Sequence, residues 1–150
     1  MSIQCEIVTQ DKTLYEGPAD IVIAPGIQGE LGILPNHAPL LTLLDIGLLI
    51  VRNTGEEQAF TIVGGILEVR PDVITVLADV GESVDEIDVA RAEEAKAHAE
   101  KLLAEGPPTD TDEYLRIQAA IQRSTLRLDA YRRYGRGTRV PRPSSPDEVT

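Results

Sequence analysis

A chain of 150 residues with 42% apolar residues has room for one ordinary domain, or for a small domain with an appendage. Aromatics make up 3% and Trp is absent, so any core must be aliphatic. The formal net charge of −11 argues against nucleic acid as the main partner, because phosphate binding needs basic surface. The charge is uneven: eight of the fourteen basic residues are arginines at or after Arg116, and none lies between Lys12 and Arg52. That asymmetry points to a localised anion- or partner-binding surface near the C-terminus. Cys5 is the single cysteine, which excludes an internal disulfide, and with two histidines it makes no structural zinc site. No basic segment leads into an apolar run, and no stretch reaches about 18 apolar residues. Neither a signal peptide nor a direct membrane span is therefore expected, and a soluble intracellular protein is the default.

In chain order, Ile3 to Val8 alternates with Ile3, Cys5 and Ile7 on one face, as a strand should. A turn at Gln10–Lys12 leads to a short strand over Thr13–Glu16, broken by Gly17-Pro18. Ala19 to Ala24 reads as a buried strand, closed by Pro25-Gly26. Gly29 to Leu34 is a strand between glycines, followed by a Pro35-Asn36 turn. Leu40–Leu44 and Leu48–Arg52 are further strands, and Asn53-Thr54-Gly55 is a hairpin turn signal. Glu57–Val63 alternates, Gly64-Gly65 marks a bulge or close backbone approach, and Ile66–Val69 and Val73–Ala78 complete the series. About nine or ten short strands with turns between them predict an antiparallel sandwich or barrel.

The apolar period changes from two to about 3.6 across Glu82–Ala92. Ser83 and Glu86 have the spacing of a capping box, with Asp85 as an alternative cap, so a helix is predicted over Glu86–Ala104. Gly106-Pro107-Pro108 stops it. Thr109–Asp112 starts a second helix that runs to about Tyr134. Ala92, Ala95, Ala99 and Leu102 on the first helix, with Leu115, Ala119, Leu126 and Ala130 on the second, predict the seam of an antiparallel hairpin. Small side chains hide little apolar area, so the hairpin needs a further surface and is a candidate for movement. The predicted organisation is a β-sandwich over residues 1–84, an α-helical hairpin over 85–134 and a disordered tail over 135–150.

His37 sits in a turn with no nucleophile or metal suggested beside it, and reads as structural. Cys5 reads as core packing. The glycines at 26, 29 and 32 precede no Gly-Lys-Ser/Thr, so a phosphate loop is unsupported. Arg91 lies three residues after Asp88, and Arg116, Arg123 and Arg127 share one face of the second helix. Once the hairpin folds, Glu82, Asp88 and Arg91 at the joint meet Arg123 and Arg127. Such a set can grip a phosphate chain through arginine forks. From spacing alone, ordinary salt bridges on a solvated face carry more weight.

Gly29-Glu30-Leu31-Gly32-Ile33-Leu34-Pro35-Asn36-His37-Ala38-Pro39-Leu40 resembles the signature turn of the epsilon subunit of F-type ATP synthases. Gly64-Gly65-Ile66-Leu67-Glu68-Val69 with Val73–Asp79 is similar to that family's next block, and Ile87-Asp88-Val89-Ala90-Arg91-Ala92 to its Ile/Leu-Asp-x-x-Arg-Ala motif. The resemblance spans residues 3 to 131. It implies a ten-stranded antiparallel β-sandwich of two five-stranded sheets, followed by a two-helix hairpin. It also implies a non-catalytic place in the central stalk, bound to the gamma subunit and the c-subunit ring. Leu31, Ile33, Leu34, Pro35 and His37 would then lie at the partner interface. The implied location is peripheral, on the cytoplasmic face of the bacterial plasma membrane. In this family the hairpin either folds on the sandwich or extends into the alpha/beta catalytic head, where it inhibits ATP hydrolysis. No cofactor is required, but ATP binds the folded hairpin of some members as a regulatory ligand. Those positions fall here on Glu82, Ile87, Asp88, Arg91, Ala92, Arg123 and Arg127. A further arginine of those members stands here as His98, which weakens the phosphate contacts or makes them pH-sensitive. The alternative is a free-standing nucleotide-sensing module.

Overall fold

Alternation is realised in β1 (Ile3–Val8): Ile3, Cys5 and Ile7 are buried, while Gln4, Glu6 and Val8 look outward. In the computed structural model, which describes residues 1–106 and 108–135, six further strands follow. These are β2 (Thr13–Ala19), β3 (Ile21–Gly26), β4 (Gly29–Ile33), β5 (Leu40–Asn53), β6 (Glu56–Val69) and β7 (Val73–Ser83). A 3-10 turn over Val84–Glu86 leads to α1 (Val89–Ala104) and α2 (Thr111–Tyr134). The strands form one seven-stranded sheet in the order β2-β1-β7-β6-β5-β3-β4.

This differs from ten strands in two five-stranded sheets, and the pairing of β1 with β7 is parallel rather than antiparallel. The reason lies in β5 and β6. Each runs unbroken for 14 residues, through stretches whose small and polar residues read as boundaries. Pairing along β5, β6 and β7 keeps one register but lapses at Asp45, Gly64 and Asp79, which lie side by side. Gly64 and Gly65 hold φ of 76° and 140° there. A Cβ on Gly65 would collide with the Leu77 carbonyl oxygen and come within 2.9 Å of the Ala78 Cα. The inward face changes parity across this line. Leu44 points into the core on one side of it, and Leu49 and Val51 do so on the other. In β6, Leu67 and Val69 hand over to Phe60 and Ile62 in the same way. The sheet thus bends over a single aliphatic core that takes side chains from every strand, and edge strand β2 comes back into contact with β5.

The helices occupy the outer face of the far half of the sheet. Ile50 and Ala59, paired across β5 and β6, meet Val84, Ile87 and Ala130. Ile23, Leu48, Val89, Tyr131 and Tyr134 pack around that cluster. α2 touches β5, β6 and the 3-10 turn, and α1 packs on α2. The capping box does not form: Ser83 makes no side-chain cap bond, and α1 begins three residues later than expected. Asp88 is its cap, accepting from the Arg91 N–H at 3.1 Å. Asp110 caps α2 through the Asp112 N–H at 2.9 Å. Ala92 and Ala99 are buried as the seam requires, but Ala95, Leu102 and Leu115 are exposed. On α2 the buried positions are Ile117, Ser124 and Ala130. That helix serves two surfaces, α1 and the sheet, so its buried residues do not fall on the one stripe that a bare hairpin would show. The predicted tail, beyond Gly135, lies outside the described residues.

Two outcomes test this fold. Gly65→Ala forces a side chain into the adjacent strand at a left-handed backbone position. Urea unfolding followed by circular dichroism should show a loss of at least ~2 kcal/mol. Cys5 is fully buried, and burial, aided by the neighbouring Glu6 charge, pushes its thiol from 9.0 up to about 12. The native state therefore holds that proton more tightly than the unfolded chain, so its contribution is constant below pH 9 and is lost as pH rises toward 12. At pH 8 the native protein should resist thiol alkylation that is complete in denaturant.

Candidate functional site

After the bend, β6 and β7 turn Thr61, Val63, Val80 and Glu82 toward the helices, because alternate residues of a strand share a face. α1 approaches this surface with Ala95, and α2 with Ala120, Arg123, Ser124, Leu126 and Arg127. Between them is a cavity of about 360 Å³, within the size range of small-ligand sites. Its floor is apolar at Val63, Val80 and Leu126. Thr61 and Ser124, the buried polar residues among those described, both line the cavity.

Charge enters from one side. Arg127 reaches from α2 to Glu82 on β7 and grips its carboxylate with two nitrogens. Nε donates to Oε1 at 2.5 Å and Nη2 to Oε2 at 3.3 Å. Both side chains are about three-quarters buried, at 28% and 25% exposure. Arg123, one turn earlier, lines the same cavity and has no ion-pair partner among the described residues. One turn before Ala120 is Arg116, and one turn either side of Ala95 are Arg91 and His98. These three are exposed, and their side chains are unpaired among the described residues. An apolar floor, two hydroxyl-bearing residues and the arginines of α2 suit an anion carrying a flat, partly apolar body.

The structure brings Glu82, Arg123 and Arg127 of the predicted set to this cavity and leaves four others outside its lining. Ile87 is buried beneath Ala130. Asp88 spends its carboxylate on the α1 cap, Arg91 is exposed one turn before Ala95, and Ala92 lies in the buried seam. Thr61, Val63, Val80 and Ser124 escaped the sequence reading. Ser124 carried one signal, a hydroxyl on a helix flank beside Arg123. The strand residues carried none, because nothing local says which face a helix will cover.

The other predicted surface is the turn after β4. Leu34 is exposed, while Pro35 and His37 are half-buried. The His37 N–H donates to the Leu34 carbonyl at 3.1 Å, and its Nδ1 lies 2.7 Å from the Ala38 carbonyl. Ile33 is fully buried in the core and Leu31 packs against it, so these two support the turn from within. A larger apolar feature lies nearby in sequence. Leu43, Ile66 and Leu77 stand directly opposite one another on β5, β6 and β7, all exposed, with Leu41 beside them. Exposed apolar groups set in a row mark an interaction surface. Among the described residues, no helix is long and apolar enough to cross a membrane.

Residues 2–84 match the family model of the ATP synthase delta/epsilon chain beta-sandwich domain, and residues 85–132 match that of its long alpha-helix domain. The ATP synthase epsilon chain of Dehalococcoides mccartyi strain BAV1 is 42% identical over 132 residues, covering 84% of this chain and 89% of the relative. That of Syntrophobacter fumaroxidans is 45% identical over 126 residues, covering 84% and 92%. Among solved structures, the chain resembles one from the Euglena gracilis mitochondrial ATP synthase OSCP/F1/c-ring assembly. The TM-score is 0.63 at 22% identity, covering 85% of this chain and 76% of the other.

The cap assignment separates two carboxyl–hydroxyl neighbours. Asp88→Ala should cost the hairpin about 1 kcal/mol and speed amide exchange in the first turn of α1, whereas Ser83→Ala should leave both unchanged. Hydrogen exchange read residue by residue distinguishes them.

Proposed function

This chain belongs to the ATP synthase delta/epsilon chain family, and on that premise we propose that it is a non-catalytic central-stalk subunit whose hairpin regulates ATP hydrolysis. The bent sheet is the anchor. Its exposed row Leu41, Leu43, Ile66 and Leu77 and the turn at Leu34, Pro35 and His37 supply two surfaces for the gamma subunit and the c-subunit ring. The assembly sits peripherally, on the cytoplasmic face of the membrane. The hairpin is the brake. It inhibits when extended toward the alpha/beta head, and is inactive when folded on the sheet.

The observation that carries this reading is how the hairpin is held. α2 docks through a small cluster around Ala130, separate from the main core, while α1 leans on α2. An element so attached can leave without breaking the sandwich. ATP is the regulatory ligand proposed for the cavity, with its base over Val63 and Val80 and its phosphates toward the arginines of α2. Those groups come from opposite walls, so ATP gains more from the closed state than from the open one, which is the condition for shifting the balance. The cavity is built by one chain alone, and this supports the second reading, a nucleotide sensor that works without the complex.

The test is hydrolysis by the assembled complex carrying either the full chain or one ending at Ile87. The shortened chain should raise hydrolysis several-fold while leaving the subunit bound. Equal rates would remove the brake. Calorimetry on the free chain should detect ATP, and the Arg123→Ala/Arg127→Ala variant should not.

A further inference from the structure

We propose that Glu82 and Arg127 form a ligand-independent latch that keeps the hairpin closed, and that the anion entering the cavity is recognised by Arg123 instead. The inference rests on the reading that the hairpin opens and closes. It divides between two arginines a role that the sequence assigns to both.

Glu82 ends the sheet, one residue before β7 finishes, and Arg127 sits 45 residues later on α2. Between them in the chain lie the 3-10 turn, α1, the connection and α2 as far as Leu126, so the pair ties α2 directly back to the sheet. The guanidinium meets both carboxylate oxygens, and the cavity walls shield the pair from water. A two-nitrogen fork is stronger and more directional than a single contact, and partial burial reduces its screening. Removing either partner would strand a charge that is largely buried. An anion would therefore have to displace a carboxylate already in place to use Arg127. Arg123 offers the same chemistry in the same cavity and meets no such competition among the described residues, with Ser124 beside it and Thr61 on the sheet wall. Lys12 reinforces the fixed side. It donates from the β1–β2 turn to Glu86 at 3.0 Å, tying the 3-10 turn to the sandwich and placing the moving joint after it.

The experiment uses the full chain with dyes at Glu56→Cys at the start of β6 and Gln122→Cys on α2, both exposed positions, and reads energy transfer with and without ATP or inorganic triphosphate. Without ligand, Arg127→Gln should lower the closed-to-open ratio roughly five- to tenfold. The swap Glu82→Arg/Arg127→Glu should restore it, which a misfolded variant would not do. Arg123→Gln should leave ligand-free closure unchanged and abolish the shift that ATP produces. Triphosphate alone should reproduce that shift only in part, if the apolar floor holds the base. Wild-type closure in Arg127→Gln, or failure of the swap to restore it, overturns the latch. Unaltered ATP response in Arg123→Gln overturns the division of roles. If the wild-type chain binds no ATP, the nucleotide reading above falls and the Arg123 half falls with it, while the latch is still judged by ligand-free closure alone.

Discussion

The bend at Asp45, Gly64 and Asp79 is the constraint on which the other features depend. Three long strands change their inward face along one line, and the left-handed backbone at Gly64 and Gly65 permits it. Without the change of parity, Leu49, Val51, Phe60 and Ile62 would face solvent while Leu44, Leu67 and Val69 faced the core. With it, both halves of β5 and β6 contribute to one core. The same turn of the sheet directs Thr61, Val63, Val80 and Glu82 outward on the far half, where they become the floor of the cavity. Core closure and site construction are thus two consequences of one backbone geometry.

The hairpin is attached by a different kind of interaction. Its apolar contact with the sheet is a small cluster around Ala130, and the residues that α1 buries are Ala92 and Ala99, small side chains that hide little surface. What it lacks in apolar area it partly recovers through one directed ion pair, Glu82–Arg127, which is geometrically specific where a patch of Ile and Ala is not. An element held by few contacts, one of them polar, responds to ions and anionic ligands far more than a core element does. The sandwich and the helices are therefore held in different ways: one by a continuous apolar core, the other by a small cluster and a directed ion pair.

Much of this was legible in the sequence, and the losses share a cause. The alternation of Ile3, Cys5 and Ile7, the Asn53-Thr54-Gly55 hairpin, the switch of period near residue 85 and the capping signal at Asp110 are local, and local chemistry reports them directly. Gly64-Gly65 was visible as a bulge or close approach, but read as a break it split one strand into two. The Ser83–Glu86 capping box had the correct spacing and still did not form, because Val84 and Ile87 are drawn into the apolar cluster with Ala130 and the chain makes a 3-10 turn there first. Asp88, inside the motif, then takes the cap.

The order of the elements, the aliphatic core, the sheet-to-helix joint and the family motifs are each written in neighbouring residues of the sequence. The sequence also singled out Glu82, Arg123 and Arg127. The joining of the strands into one bent sheet, the face of it that α2 covers, and the pairing of Glu82 with Arg127, with Arg123 lacking an ion-pair partner among the described residues, are tertiary outcomes. Those outcomes turn on which side of a strand faces a helix 45 residues away, and on which arginine then comes within reach of Glu82. Neither is a property of any local stretch of chain.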